Sequence, residues 1–126
     1  MNPLDPKLVT GTVGELLVQL RLLQYDVQAA PPLKDTGNDL IAVRGHIFKA
    51  VQVKTTGKED KQPPRPDDRL YHILAFVRLH GEDNKLLLDE SEVYLIGRET
   101  FENGRFNPKD LPAHLISHEV VDRLFS

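Results

Sequence analysis

Between Asp39 and Thr55 the chain carries two apolar runs, Asp39–Arg44 and Ile47–Thr55, joined by Gly45-His46. Both are apolar on both faces except at particular positions, which is the pattern of strands buried in the middle of a covered sheet. Glycine at the junction predicts a hairpin. Such a pair cannot stand alone, so the rest of the chain must supply neighbouring strands and covering layers. Tyr71–Leu79 reads as a third strong strand, and Asp26–Ala30, Leu86–Leu88 and Val93–Ile96 as shorter ones. Val9, Val13, Leu16, Leu17, Leu20 and Leu23 recur at helical spacing after an Asp5-Pro6 entry and predict a helix to about Tyr25. Leu115, Ile116, Val120 and Leu124 predict a closing helix over Ala113–Phe125. The order is helix, sheet, helix, an α/β sandwich without internal repeat, and 126 residues suit a single domain spanning 1–126.

The connections are legible by composition. Lys34-Asp35-Thr36-Gly37-Asn38 and Gly81-Glu82-Asp83-Asn84 are turns. Gly57–Arg69 is charged and carries three prolines, so it reads as a mobile surface loop rather than a core element. The chain has no cysteine, which removes disulfides, thiolate metal sites and a Cys nucleophile together. Its longest apolar run, Ile73–Val77, falls far below the ~20 residues of a membrane span. The first residues have neither a basic nor an apolar leader segment, so a cytoplasmic protein with no membrane partner is expected. No Walker or dinucleotide glycine motif is present, and Ser91, Ser117 and Ser126 lack a G-x-S-x-G context. His114 and His118 stand four apart, a metal-compatible helical spacing, but no third ligand accompanies them.

The net charge of −3 argues against a polyanion partner until its distribution is considered. Residues 1–43 sum to −2, 44–65 to +4 and 66–126 to −5. The positive segment contains the second of the paired strands and the loop after it.

Within buried strands a polar group costs about 1–3 kcal/mol if unpaired and a charge far more, so Asp39, Gln52 and Lys54 stand out. A two-residue Gly45-His46 loop pairs 44 with 47 and, continuing outward, 39 with 52. Asp39, Gln52 and Lys54 then share one face. A three-residue loop would instead place Asp39 opposite Val51 and send Gln52 to the other face. On the first helix, Lys7 and Arg21 are read as the solvent side, while Glu15 falls on a stripe with Leu8, Thr12, Gln19 and Leu22 flanking the apolar face. Gly11 and Gly14 each weaken a helix interior by about 1 kcal/mol and suggest a close backbone approach. Two carboxylates, an amide oxygen and a lysine converging on a strand pair form a hard oxygen site suited to Mg²⁺, with an ammonium beside it, a set that fits phosphodiester hydrolysis.

Gly14-Glu15, then Asn38-Asp39-Leu40-Ile41-Ala42-Val43, then Val51-Gln52-Val53-Lys54-Thr55-Thr56 resembles the PD-(D/E)XK nuclease superfamily: a helix glutamate, a strand aspartate, a hairpin, then (E/Q)-x-K. The match covers roughly residues 8–56. It is nearest in flavour to the Gln-using group, the group I intron-encoded homing endonucleases of this fold and Mrr-type restriction enzymes, with Holliday-junction resolvases more distant. The resemblance implies a restriction-endonuclease-like α/β/α sandwich with a central mixed sheet, and a Mg²⁺-dependent endonuclease, with Mn²⁺ as substitute, cutting double-stranded or branched DNA as a homodimer or higher homo-oligomer. It implies Glu15, Asp39, Gln52 and the Val53 carbonyl as metal ligands and Lys54 as catalytic lysine. Asn38 stands where the name-giving proline often does, and Gln52 lowers the negative charge at the metal. Thr55, Thr56, Lys58, Lys61 and Arg65 are placed to contact phosphates. The alternative is an inactive nuclease fold serving as a nucleic-acid-binding or assembly module.

Overall fold

The computed structural model describes residues 6–34, 39–65, 70–82, 85–101 and 106–126, with side chains from residue 9 in the first segment. The Asp5 cap, Asn38, the Lys7 and Leu8 side chains and the centres of the two turns, 35–38 and 83–84, lie outside the described residues.

Helix α1 (Pro6–Leu23) is followed by strands β1 (Gln28–Ala30), β2 (Leu40–Arg44), β3 (Ile47–Thr56) and β4 (Ile73–Arg78). A small ribbon of β5 (Gly81–Glu82) and β6 (Lys85–Leu86) precedes β7 (Glu92–Gly97), and helix α2 (His118–Leu124) closes the described chain. The central sheet has the order β1-β2-β3-β4-β7. All its neighbours are antiparallel except β3 and β4, which run parallel. The protein is therefore a mixed α/β fold, a five-stranded sheet flanked by N- and C-terminal helices. A parallel pair needs a crossover of a dozen residues or more. The charged, proline-containing segment after Thr56 is that crossover, and no helix replaces it among its described residues.

Each face of the sheet has its own core. Val51, Val53, Ile73, Ala75, Val77, Val93 and Leu95 pack with Leu17, Val18 and Leu22 of α1 and Val120 and Val121 of α2. Leu74, Phe76, Tyr94 and Ile96 face the other way, toward Phe101 and Leu111 in the 3₁₀ turns that follow β7. β4 is buried on both faces, as its unbroken apolar run requires. β3 is less covered than expected at its start: Phe48 is 65 % exposed, because the hairpin outruns β4, whose first residue pairs with Val51.

α1 stops two residues before Tyr25. Asp26 adopts a left-handed φ of 63°, and Val27 N–H donates to the Leu22 carbonyl at 3.0 Å, a Schellman ending sealed by buried Leu22 and Val27. The helix is also rotated relative to expectation. Its buried side is Gly14, Leu17, Val18 and Leu22, whereas Leu16, Leu20 and Leu23 are 53–59 % exposed. Arg21 does not mark the solvent side either. It is half-buried, and its guanidinium donates to the Leu88 and Ser91 carbonyls at 2.9 and 3.0 Å, docking the 3₁₀ turn Leu88–Glu90 onto the helix. That turn takes the place of the end of the expected strand Leu86–Leu88.

The closing helix is much shorter than its apolar spacing predicts. Pro108–His114 forms 3₁₀ turns containing Pro112, Leu115 leaves as an isolated bridge to Tyr94, and Ser117 then caps α2 through Val120 N–H at 3.2 Å. His114 and His118 thus sit on different elements, and the metal reading of that pair fails. His118 packs edge-on against the Tyr25 ring. Burial and the nearby Arg123 cation hold His114 below its ordinary pKa. Among the described residues no helix is long and apolar enough to cross a membrane.

Candidate active site

The hairpin register decides which polar residues meet. Gly45 has φ 60° and His46 a negative φ, the signature of a two-residue type II′ turn, and Arg44 pairs with Ile47, Ala42 with Lys49 and Leu40 with Val51. The paired ladder ends at Leu40 and Val51; Asp39 N–H turns to the same Val51 carbonyl, so the regular alternation stops before Asp39. Gln52 pairs with Leu74 and Lys54 with Phe76, and both partners belong to the core on the side away from α1. Gln52 and Lys54 therefore occupy one face, and Asp39 stands at the flank of β3.

Asp39 sits where the β2–β3 ladder gives out. Its N–H donates to the Val51 carbonyl at 2.9 Å, so odd-numbered residues of β3 turn their backbone groups toward β2. Even-numbered ones turn toward β4, as the bonds from His72 N–H to Ala50 and from Leu79 N–H to Thr56 show. β2 begins at Leu40, which leaves Val53 without a strand partner on that side. The Asp39 carboxylate fills the gap, accepting Val53 N–H on Oδ2 at 2.8 Å. By the same alternation the Val53 carbonyl points into this opening.

Gln52 is 3 % exposed, and its Oε1 is fully buried with no hydrogen-bond donor among the described residues. A buried acceptor in that state costs about 1–3 kcal/mol and calls for an explanation. It is an oxygen donor that a hard cation would satisfy. Among the described residues no three His, Asp or Glu side chains gather into a cation cage, so amide and carbonyl oxygens would have to share the work.

Glu15 lies on α1, in the layer on the other side of the sheet from Gln52 and Lys54. Gly14, its neighbour, is buried against Thr55: a Cβ there would come within 2.9 Å of Thr55 Cβ and closer still to the hydroxyl. α1 thus crosses the sheet at the open flank of β3, with half-buried Glu15 at the crossing. Gly11 meets nothing within 4 Å, so the close approach expected there does not occur.

Thr55 faces α1, whereas Thr56 lies on the Lys54 side and its hydroxyl accepts Lys58 N–H at 3.1 Å. Lys58, Lys61 and Arg65 are exposed on the crossover that begins there. The described part of the crossover, up to residue 65, is tied at two points: Arg78, the partner of Thr56, donates to the Lys61 carbonyl at 2.7 Å, and Pro63 is buried; residues 66–69 of the expected mobile loop lie outside the described residues.

Sequence reading missed the group lying next to Lys54 on the same face. The Arg78 guanidinium carbon lies 5.7 and 5.8 Å from the Phe76 and Tyr94 ring centres. The Tyr94 hydroxyl donates to Glu92 Oε2 at 2.6 Å, and Glu92 Oε1 meets His80 Nε2 at 3.0 Å. Burial disfavours ionised Glu92, but the bonds from Tyr94 and His80 and the neighbouring Arg78 charge outweigh it and hold the carboxyl below its ordinary value. Burial and the bond to Glu92 push Tyr94 up to about 12. The available signal was period two: Arg78, Glu92 and Tyr94 fall on the Lys54 face once β3, β4 and β7 are aligned.

No protein-family model matches the chain, and no curated protein matches it in sequence. Among solved structures, a bacterial homing endonuclease, I-Ssp6803I, superimposes with a TM-score of 0.62 over 95 % of this chain and 91 % of that one, at 16 % sequence identity. At that identity the likeness establishes a shared fold.

Proposed function

We propose that this chain is a metal-dependent endonuclease hydrolysing phosphodiester bonds of double-stranded DNA, a Gln-containing PD-(D/E)XK enzyme acting as one domain. The observation that carries this reading is the buried Gln52 Oε1, without a donor among the described residues, on the same face as Lys54 and next along β3 to the Val53 N–H that Asp39 accepts. The fold shared with a homing endonuclease supports it. Asp39, Gln52 and the Val53 carbonyl, with Glu15 at the flank, would hold Mg²⁺ or Mn²⁺. When bound, the ion supplies a more acidic water and offsets charge gathering on the phosphate. Asp39 keeps the pocket open by taking the Val53 N–H that β2 would otherwise pair. Lys54 places an ammonium where the attacking water or scissile phosphate sits. Thr56, Lys58, Lys61 and Arg65 contact the flanking backbone phosphates, through a crossover that Arg78 holds in position, whereas Thr55, packed against Gly14 of α1, is turned away from them.

The test is incubation of supercoiled and branched DNA with Mg²⁺ or Mn²⁺, comparing wild type with Asp39→Ala and Lys54→Ala. The expected result is metal-dependent cleavage lost in both variants. Tight binding without cleavage favours the second reading, an inactive nucleic-acid-binding module, which draws on an amide standing where a second strand carboxylate would bind the metal more strongly.

A further inference from the structure

A cavity of about 480 Å³ opens at the end of the sheet away from Lys54. β4 begins at Ile73 opposite Val51, and β7 ends at Gly97 opposite Ile73, so Lys49 of β3, His72 just before β4 and Arg98 just after β7 meet at this end. Arg123 of α2 closes the set, and its neighbour Asp122 ties α2 to the hairpin through Arg44 at 2.7 Å. Lys49 stands five residues from Lys54, about 17 Å along β3, and on the other face of the strand. Each group is held in place. His72 N–H donates to the Ala50 carbonyl at 2.9 Å, its carbonyl accepts Arg98 N–H at 2.8 Å, and its Nδ1 accepts Ala50 N–H at 3.0 Å. An accepting Nδ1 puts the proton of the neutral ring on Nε2, the donor His72 brings to the cavity. The Arg98 guanidinium carbon lies 4.6 Å from the centre of the buried Tyr71 ring, which fixes its plane. Among the described residues, neither half-buried Lys49 nor exposed Arg123 is paired with a carboxylate. The carboxylate that does line the cavity, Glu99, folds over Gly97 into the space a Cβ would fill. Three permanent cations against it leave +2, in a chain whose total is −3.

We propose that this cavity is a binding site for the phosphomonoester of a nucleotide, the phosphate lying among Lys49, His72, Arg98 and Arg123 and the base against the apolar floor. Two features select that ligand. A phosphomonoester carries about −1.5 to −2 at neutral pH, which matches the charge of the lining, whereas a carboxylate or an internal phosphodiester carries half as much. Arginine and lysine donors with one imidazole N–H also suit its three acceptor oxygens. The cavity is larger than a phosphate fills, and Tyr71, Ile73, Phe101 and Leu124 give it an apolar floor, so a flat organic group belongs beside the phosphate. The same chemistry occurs on a free mononucleotide and on the phosphorylated 5′ end of a DNA strand. The site is separate from Gln52 and Lys54 and does not rest on the nuclease reading.

The test is calorimetric titration of the full chain with deoxyadenosine 5′-monophosphate in EDTA. Wild type should bind it saturably, and Arg123→Gln and Lys49→Gln should each weaken binding by roughly 10-fold or more with an unchanged circular dichroism spectrum. Lys85→Gln, which removes the same charge from an exposed position on β6, beyond the far end of β4, should bind as wild type does. Deoxyadenosine and ribose 5-phosphate, lacking the phosphate and the base respectively, should each bind at least about 10-fold more weakly. In NMR spectra the nucleotide should move the His72 ring resonances and leave those of His80, which follows β4 at its other end, in place. The source is read by competition: displacement by a short 5′-phosphorylated DNA strand, but not by the same strand without its phosphate, assigns the site to strand ends, and displacement by neither assigns it to free nucleotides. No binding, equal affinity in Arg123→Gln and Lys49→Gln, a ribose 5-phosphate or deoxyadenosine that binds as tightly, or shifts at His80 in place of His72 overturns the proposal. None of these readouts depends on DNA cleavage, so they stand or fall apart from the nuclease reading.

Discussion

Replacing Gln52 by methionine sets stability against function at one atom. Gln52 Oε1 is buried without a donor, and a buried acceptor in that condition raises the free energy of the folded state by about 1–3 kcal/mol. Methionine is unbranched, of similar length and has no oxygen to leave unpaired, so it suits the space beside Leu74 and Ala50 with little repacking. Gln52→Met should therefore stabilise the metal-free protein by about 1–2 kcal/mol, a rise in Tm of about 3–8 °C for a chain of this size. Urea unfolding in EDTA measures the gain, and an unchanged m-value shows that the surface exposed on unfolding is the same. Added Mg²⁺ should then stabilise wild type, since an ion that binds the folded chain alone shifts the equilibrium toward it, and should leave Gln52→Met nearly unmoved. The reasoning is refuted if Gln52→Met loses more than about 1 kcal/mol in EDTA, because the amide oxygen would then be satisfied in the metal-free fold and not held for a cation.

Asp39 combines a structural and a chemical role that two variants separate. Asp39→Ala strips the acceptor from Val53 N–H and should lower stability by about 1–2 kcal/mol, whereas Asp39→Asn keeps an oxygen there and should fold almost as well while losing metal-dependent cleavage, as chemical denaturation and a nicking assay would show. Gly14→Ala drives a Cβ into Thr55 and should destabilise by about 1–3 kcal/mol despite alanine's better helix propensity, while Gly11→Ala, facing open space, should stabilise by about 0.5–1 kcal/mol; paired thermal melts give the sign of each. Tyr94 ionises near 10.0 when unfolded and near 12 when folded, so from pH 10 to 12 the unfolded chain loses this proton first and stability falls. Across that window wild type should lose up to about 2–3 kcal/mol more than Tyr94→Phe, and parallel unfolding curves would expose the idea as wrong.

How far the chain could be read in advance follows from which constraints were local. The hairpin was legible because Gly45 sets the turn and carries the register outward to Leu40 and Val51; the placing of Asp39 was not, because its N–H leaves the alternation to bond the Val51 carbonyl. Nor was the rotation of α1. Its sequence offers apolar residues nearly all round, and the 3.6-residue period cannot say which stripe the sheet will take. That choice is made far along the chain, where Thr55 meets Gly14 and Arg21 finds the Leu88 and Ser91 carbonyls. A wider side chain at residue 14 would lift the helix from β3, and burying Leu16 or Leu20 instead would turn Arg21 away from those acceptors. The same contact governs the candidate site, since it fixes where Glu15 stands relative to the flank that β2 leaves open. The closing helix failed for a related reason: Leu115, Ile116, Val120 and Leu124 have helical spacing, yet Pro112 and the Ser117 cap break the segment first and hand Leu115 to a bridge with Tyr94. Arg78, Glu92 and Tyr94 were beyond reach for want of pairing: each is an ordinary polar residue in its own strand, and their convergence beside Lys54 exists only once three strands are aligned. The rotation of α1 also leaves Leu16, Leu20 and Leu23 outside, so one close contact at Gly14 sets both where Glu15 stands and which stripe of the helix the sheet buries.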